Sequence, residues 1–463
     1  LKLLIQKGGK EKIRLKMEQN KSAIIVGAGL VGSLWAVYMS KAGYKVTIYE
    51  RRADIRKAEI SAGKSINLAL STRGWKALDT VGVGDAIREI AIPMYGRTMH
   101  DLEGNLTYQP YGKEGQAIYS VSRGGVNARM MDIAENVGNA EIHYNIECIA
   151  ADTKNGIVRL KRKSGEEFEA KADVVFAADG AFSAVRYNAF QKLDRFNFSQ
   201  QFIADGYREL LLPALSNGDY PMDKNSLHIW PRGRFMLIAL ANEDGSFTCT
   251  LFMPHEGGDN SFDKVNTKEE VDAFFKSVFP DFYTMMPNVA DAWEDHPLSS
   301  LAIMRSFPWH DGKFALMGDA AHATVPFYGQ GMNGGFEDCS VMWELMQKHN
   351  ENWDKVFEEY SELRKPDGDA LQDLSLHNYH VMRDFVADPK FLLQKKIEAK
   401  FSQLYPEKWM PLYSMVTFSN IRYSVALESG KRQDKIMKEI LEMPNIEANW
   451  DSEEVMNRIL EKI

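Results

Sequence analysis

From Ser22 the chain sets out on a short β-branched run that ends, after Val26, at the glycine turn Gly27-Ala28-Gly29-Leu30-Val31-Gly32. Beyond it Leu34, Val37, Tyr38 and Lys41 recur at helical spacing, Gly43 supplies a stop, and Lys45 to Tyr49 alternates as a second strand. The opening therefore reads as a β-α-β unit ending in Glu50. Short strands follow at Ile157 to Lys161 and Phe168 to Ala170, and the apolar run Asp173 to Ala178 reads as a buried parallel strand. The segments Gln201 to Leu212, Leu227 to Trp230, Arg234 to Ala241 and Ser246 to Met253, divided by polar turns such as Asn242 to Gly245, predict an antiparallel sheet. After Asp338 the pattern turns helical, near 339–348, 353–364, 369–386, 390–403 and 433–443, with Asp451-Ser452 as the cap of a last helix. Glycine-rich turns return near 180 and 318, which predicts one lobe built from discontinuous pieces with the antiparallel sheet inserted.

Length and charge narrow the class. At 463 residues the chain exceeds what one core usually fills, so two or more lobes are expected. With 44% apolar and 26% charged residues and no long unbroken apolar run, the composition is that of a soluble globular protein. The net charge of -8 comes from interleaved signs and argues against a nucleic-acid-binding face. Cys148, Cys249 and Cys339 are far apart and form no C-x-x-C pair, so a reducing, cytoplasmic compartment is expected. Residues 1–20 carry several lysines but no secretory signal, and are set aside as a disordered extension.

In Gly27-x-Gly29-x-x-Gly32 the first glycine permits a tight turn, the second lets backbone approach a pyrophosphate, and the third lets helix and strand pack closely. The following helix N-terminus faces the phosphates, and Glu50, 18 residues after Gly32, is placed to accept from a ribose hydroxyl. Two further strand-end turns, Ala178-Asp179-Gly180 to Arg186 and Met317-Gly318-Asp319 to His322, follow in order. Both resemble motifs of the FAD-dependent aromatic hydroxylases. The loop Pro326 to Gly335 runs into a helix expected to start near Phe336, and its backbone N–H groups suit the pyrimidine edge of a flavin, where negative charge develops on reduction.

The segments Ser65 to Ser71, Met94 to His100, Gln109 to Gly112, Ser120 to Arg123 and the Pro326 to Asn333 loop carry a closer likeness. From about Ser22 to about Tyr423 the chain resembles the kynurenine 3-monooxygenase family of FAD-dependent aromatic hydroxylases, bacterial type. The resemblance implies a mixed α/β (α+β) fold: a glutathione-reductase-type, Rossmann-like FAD domain with an inserted antiparallel substrate-binding sheet and a C-terminal helical region. The expected division is an FAD-binding first part at 21–195 with a substrate-contacting segment at 95–120, a substrate domain at 196–300, a second FAD-binding part at 301–350 and helices at 351–463. By position, Arg97 and Tyr111 resemble the pair that holds the substrate carboxylate, and Asn378 and Tyr413 resemble further substrate contacts. Ala69, Arg123, Asp319, Met332 and Asn333 resemble FAD contacts, joined by Gly27, Gly29, Gly32, Glu50, Asp179, Gly180 and Gly331. A planar guanidinium at Arg97 suits a bidentate clasp of a carboxylate in any case.

The implied activity is hydroxylation of L-kynurenine to 3-hydroxy-L-kynurenine with NADPH and O₂, through a C4a-hydroperoxide of non-covalently held FAD. No side chain is assigned as catalytic, and the site of NADPH docking is not visible in the residues. The readings left open beside it are a related hydroxylase with another aromatic acid as substrate, and a flavoprotein whose redox state gates binding of a partner. His377 and His380 stand three apart on a helix without a third ligand, so no metal is expected. The end of the chain, Val455 to Ile463, is short and charged, so an integral membrane anchor is not expected. Its apolar stripe reads as a packed helix face, with a homodimer contact or a membrane surface as the lesser readings.

Overall fold

The computed structural model describes residues 21–57, 67–113, 115–382 and 388–463. The extension at 1–20, Ser65 and Ile66 of the quoted motif, and the end of the helix expected over 369–386 lie outside the described residues.

The β-α-β reading of the opening corresponds to a strand Ser22–Val26, a helix Leu30–Lys41 and a strand Lys45–Glu50. They belong to a six-stranded sheet whose order is His310–Asp311, Phe314–Leu316, Val174–Ala177, Ser22–Val26, Lys45–Glu50 and Glu141–Tyr144. All joins are parallel except the short edge strand 310–311. Parallel strands are covered on both faces, which is why Val174–Ala177 is buried at every position and reads as a continuous apolar run. The helix Leu30–Lys41 is buried from Gly32 through Met39, so it shows no one-sided apolar stripe.

The second large unit is a seven-stranded sheet ordered Ser299–Phe307, Asn197–Leu212, Phe247–Pro254, Met236–Ala241, Ser226–Pro231, Gly96–His100 and Leu106–Pro110. The expected antiparallel sheet is antiparallel at every join but one: Ser226–Pro231 runs parallel to Gly96–His100. That join escaped the sequence because its strands lie more than a hundred residues apart, and local alternation carries no strand direction. One face of this sheet packs on helices Lys268–Val278 and Pro280–Met285 through Leu237, Leu251, Phe275 and Phe282. The other, with Met236 and Phe252, turns toward Phe327 and Tyr379.

Three helical expectations are corrected. The helix placed near Phe336 runs over Gly331–Lys348, so the glycine loop is its own first turn. Glycine is unfavourable in a helix, yet a Cβ at Gly335 would come within 2.6 Å of Val31, so close packing on the first helix outweighs propensity. Segments 353–364 and 369–386 begin one continuous helix, Trp353–His380, with Pro366 inside it. Proline there forfeits a backbone hydrogen bond, but buried Arg364 and Asp367 on either side fix the helix by ion pairs. The helix expected at 433–443 occupies Tyr423–Ile440. Its first half packs Tyr423 and Ala426 into one core and its second half Met437 and Ile440 into another, so no single stripe marks it. Ser452 caps Glu453–Leu460 as expected, and Val455, Met456 and Ile459 are buried against Ile397 and Phe401. Among the described residues no helix is long and apolar enough to cross a membrane.

Candidate active site

A cavity of about 1180 Å³ opens between the parallel sheet, the seven-stranded sheet and the C-terminal helices. That exceeds the roughly 300–1,000 Å³ of a site for one drug-sized molecule. On the side of the parallel sheet it is lined by Gly27, Gly29, Glu50, Arg123, Asp179 and Gly180; Ala69, Asp319, Gly331 and Met332 follow. On the side of the seven-stranded sheet it is lined by Arg97, Phe252, Phe327, Asn378 and Tyr413.

The glycine turn is built for close approach. Gly27 holds φ +101°, and a Cβ on it would meet the Ala178 carbonyl oxygen at 2.6 Å. A Cβ on Gly32 would lie 2.0 Å from the Gly27 carbonyl oxygen, while Gly29 faces open space, where a pyrophosphate can lie against backbone. Glu50 is buried at the end of its strand: Oε2 accepts from Ala28 N at 2.9 Å, and Oε1 accepts from Arg52 N at 2.9 Å and Nε at 3.0 Å. It therefore braces the turn, and the acceptor site left on Oε2 is free for a ribose hydroxyl.

Unpaired polar atoms mark where a ligand belongs. Asp179 accepts from Val185 N at 3.2 Å through Oδ2, but its Oδ1 is buried without a partner, and burial pushes its carboxyl pKa up. Asn127 Oδ1 and Thr324 Oγ1, also at the cavity wall, are buried and unpaired. Leaving such groups bare costs about 1–3 kcal/mol each, which hydroxyl and amide groups of a bound dinucleotide would relieve. The first turn of the helix Gly331–Lys348 adds unpaired N–H groups at the cavity wall. The residues present fit FAD.

The Asn333 side chain is engaged with the protein's own backbone. Its Nδ2 donates to Ala69 O at 2.8 Å and Gly329 O at 2.9 Å, and its Oδ1 accepts from Ser71 N at 2.9 Å. Fully buried, its side chain ties the glycine loop to the strand Asn67–Leu70 and lies outside the cavity lining. Gly32 lies behind the wall too, and Tyr111 stands beside the wall residues Arg97 and Tyr413.

At the far side the Arg97 guanidinium lies 4.6 Å from the Tyr413 ring centroid and 5.2 Å from that of Tyr111. Tyr413 stacks between Tyr111, 5.4 Å away, and Tyr328, 5.7 Å away. Arg97 Nε and the Tyr111 hydroxyl are both buried without a hydrogen-bond partner. Burial holds the Tyr111 pKa well above the usual phenol value despite the nearby Arg97 cation, so its hydroxyl stays a neutral donor. Burial works against the Arg97 charge, yet the guanidinium keeps its proton beside Tyr413 and Tyr111. A half-buried cation beside an idle hydroxyl suits an anion, and a carboxylate can accept from both. Asn378 Nδ2 donates to Phe327 O at 2.7 Å, which fixes its carboxamide at the wall.

A family model described as an FAD binding domain matches residues 20–375. The kynurenine 3-monooxygenase of Flavobacterium johnsoniae is 51% identical over 447 residues, covering 96% of this chain and 99% of that protein. That of Sus scrofa is 42% identical over 426 residues, covering 91% and 89%. The chain belongs to the kynurenine 3-monooxygenase family. Like others of the kynurenine 3-monooxygenase family, it is an FAD-dependent monooxygenase. Its fold is also that of 2-methyl-3-hydroxypyridine-5-carboxylic acid oxygenase, with a TM-score of 0.65 at 18% identity over 83% of this chain and 98% of that one. The p-nitrophenol 4-monooxygenase of Pseudomonas putida matches at 0.61, again at 18% identity, over 94% and 99%.

Asn127, Tyr328 and Thr324 are among the wall residues missed from the sequence. Asn127 stands one helical turn beyond Arg123, a spacing that could have found it. Tyr328 lies inside the quoted loop, but nothing local tells its ring from a core aromatic. Thr324 carries no sequence signal at all.

Proposed function

We propose that this protein adds one oxygen atom to the ring of L-kynurenine, beside the aniline nitrogen, consuming NADPH and O₂. The observation that carries the reading is the Arg97 guanidinium, its Nε and the adjacent Tyr111 hydroxyl buried and unpaired, at one wall of a cavity whose opposite wall is a dinucleotide turn. FAD, when bound, supplies the redox chemistry, accepting reducing equivalents from NADPH and activating O₂.

The chain's own residues bind, orient and keep water out. Gly27, Gly29, Glu50, Arg123, Asp179, Gly180 and Asp319 would hold the dinucleotide, and the helix beginning at Gly331 and Met332 would set backbone N–H groups toward charge that develops on the ring. Arg97 would clasp the carboxylate of the amino acid, with Tyr111 donating a further hydrogen bond and Tyr413 and Asn378 closing the side. Phe252 and Phe327, 4.9 Å apart, give the aromatic part an apolar bed. The substrate's amino group already feeds electron density into the ring, so no strong base is required of the protein. Its contribution is a fixed approach and a dry pocket.

The test is direct. Purified yellow protein incubated with NADPH, O₂ and L-kynurenine should yield a product heavier by one oxygen. Recovery of unchanged kynurenine while NADPH is consumed would reduce the compound to an effector.

A further inference from the structure

Tyr413, one face of the carboxylate pocket, belongs to a helix of only six residues, Leu412–Thr417. A single turn of this length does not hold itself together in water, so something outside it must fix Tyr413 between Tyr111 and Tyr328. The structure supplies one buried cation for the purpose. Arg73, on the helix Thr72–Thr80, has a fully buried side chain. Its Nε donates to Val416 O at 3.2 Å, and its Nη2 donates to Met415 O at 3.4 Å and to Ile421 O. These are carbonyls at the end of the Tyr413 helix and in the turn after it, the groups a helix terminus leaves bare. The guanidinium carbon lies 4.0 Å from the Tyr423 ring centroid.

The remaining arm of Arg73 reaches the cofactor side. Nη1 donates to Glu337 Oε1 at 2.5 Å, and Glu337 Oε2 accepts from Arg364 Nη1 at 2.7 Å. Glu337 stands on the helix whose first turn, Gly331 and Met332, lines the cavity. Arg364 donates through Nε to Asp338 Oδ1 at 2.8 Å, and Asp338 Oδ2 accepts from Gly318 N at 2.9 Å, directly before Asp319. One side chain thus fastens the wall that holds the substrate to the helix that faces the flavin.

We infer that Arg73 is a positioning residue for the carboxylate pocket, acting through the Tyr413 helix, which its guanidinium holds to Glu337. The inference rests on reading Arg97 and Tyr413 as the grip on L-kynurenine. Lysine at this place keeps the charge but cannot reach three carbonyls and a carboxylate in one plane.

The test is a double-mutant cycle on the holoenzyme, with L-kynurenine affinity read from the change it makes in the flavin spectrum. Arg73→Lys should weaken binding about ten-fold, which is about 1.4 kcal/mol, with the loss falling on KM more than on kcat. In a Tyr413→Ala background the same change should add less than about two-fold, because the side chain through which it acts is gone. Equal effects in the two backgrounds, or none in either, overturn the inference. Arg97→Ala run in parallel separates the two levels. If it leaves affinity unchanged, the grip reading fails; if it abolishes binding while Arg73→Lys does not weaken it, only the role of Arg73 fails. Should Arg73→Lys lose FAD, Glu337→Gln, which breaks the same link from the other end, carries the cycle with the same two outcomes.

Discussion

Tyr413 lies on Tyr111 with the ring planes 12° from parallel, and both rings are in contact with the Arg97 guanidinium. The contact covers part of the cation with aromatic surface and leaves its remaining N–H groups toward the cavity. Replacing Arg97 by Ala should therefore weaken L-kynurenine binding by about 100-fold, or about 3 kcal/mol, as expected for a lost charge-assisted bidentate contact. The flavin spectrum should stay nearly unchanged. Loss of FAD from the variant would assign Arg97 to the cofactor instead.

Tyr111→Phe keeps the stack and removes only the unpaired hydroxyl. Its expected cost is about 1 kcal/mol of substrate affinity, the size of one neutral hydrogen bond. Tyr111→Ala should cost more, since the Tyr413 ring then loses a neighbour. Titration of both variants with L-kynurenine distinguishes hydroxyl from ring.

At Gly32 an added Cβ would lie 2.0 Å from the Gly27 carbonyl oxygen, and the obstacle is backbone with no side chain to swing aside. Gly32→Ala should push the first helix away from its strand and spoil the pyrophosphate turn. The purified variant is expected to be folded by circular dichroism but largely colourless, and to recover little yellow colour on addition of FAD. A variant that retains full colour contradicts this account of the turn.

Burial lowers the pKa of His228 to about 4, while its Nδ1 pairs with His100 Nε2 at 2.9 Å. In the unfolded chain an imidazole takes its proton near pH 6.5, so between about pH 6.5 and 4 the unfolded state binds more protons than the folded one. Stability should fall as pH falls through that window, by up to about 3 kcal/mol from this group. Urea unfolding at several pH values should show the slope, and His228→Gln should reduce it.

The elements that could be read from the sequence are those whose local pattern has one cause. The parallel strand at 174–177, buried on both faces, and the turn at Gly27 to Gly32, shaped by steric contact, were placed within a residue or two. The glycines at 331–335 misled, and the two segments at 353–364 and 369–386 were read apart, because tertiary contacts outweigh local preference there. In the site, Arg97 and Tyr111 could be named only because neighbouring motifs matched a family; residue type alone does not tell a half-exposed structural arginine from a buried ligand clasp. Asn333 shows the converse: a correct motif brings a residue to the right loop, but hydrogen bonds to Ala69, Gly329 and Ser71 decide that its side chain serves the scaffold.

The strand bearing Arg97 finds its parallel neighbour only at Ser226–Pro231, and the ring laid against that arginine arrives 316 residues after it. A ribosome thus releases the nucleotide cradle's opening turn early and the last part of the carboxylate pocket near the end of synthesis. Contacts closed over such spans form late. A chain that stops short of Tyr413 would consequently carry the flavin cradle together with Arg97 and Tyr111, yet lack the ring that closes the carboxylate pocket.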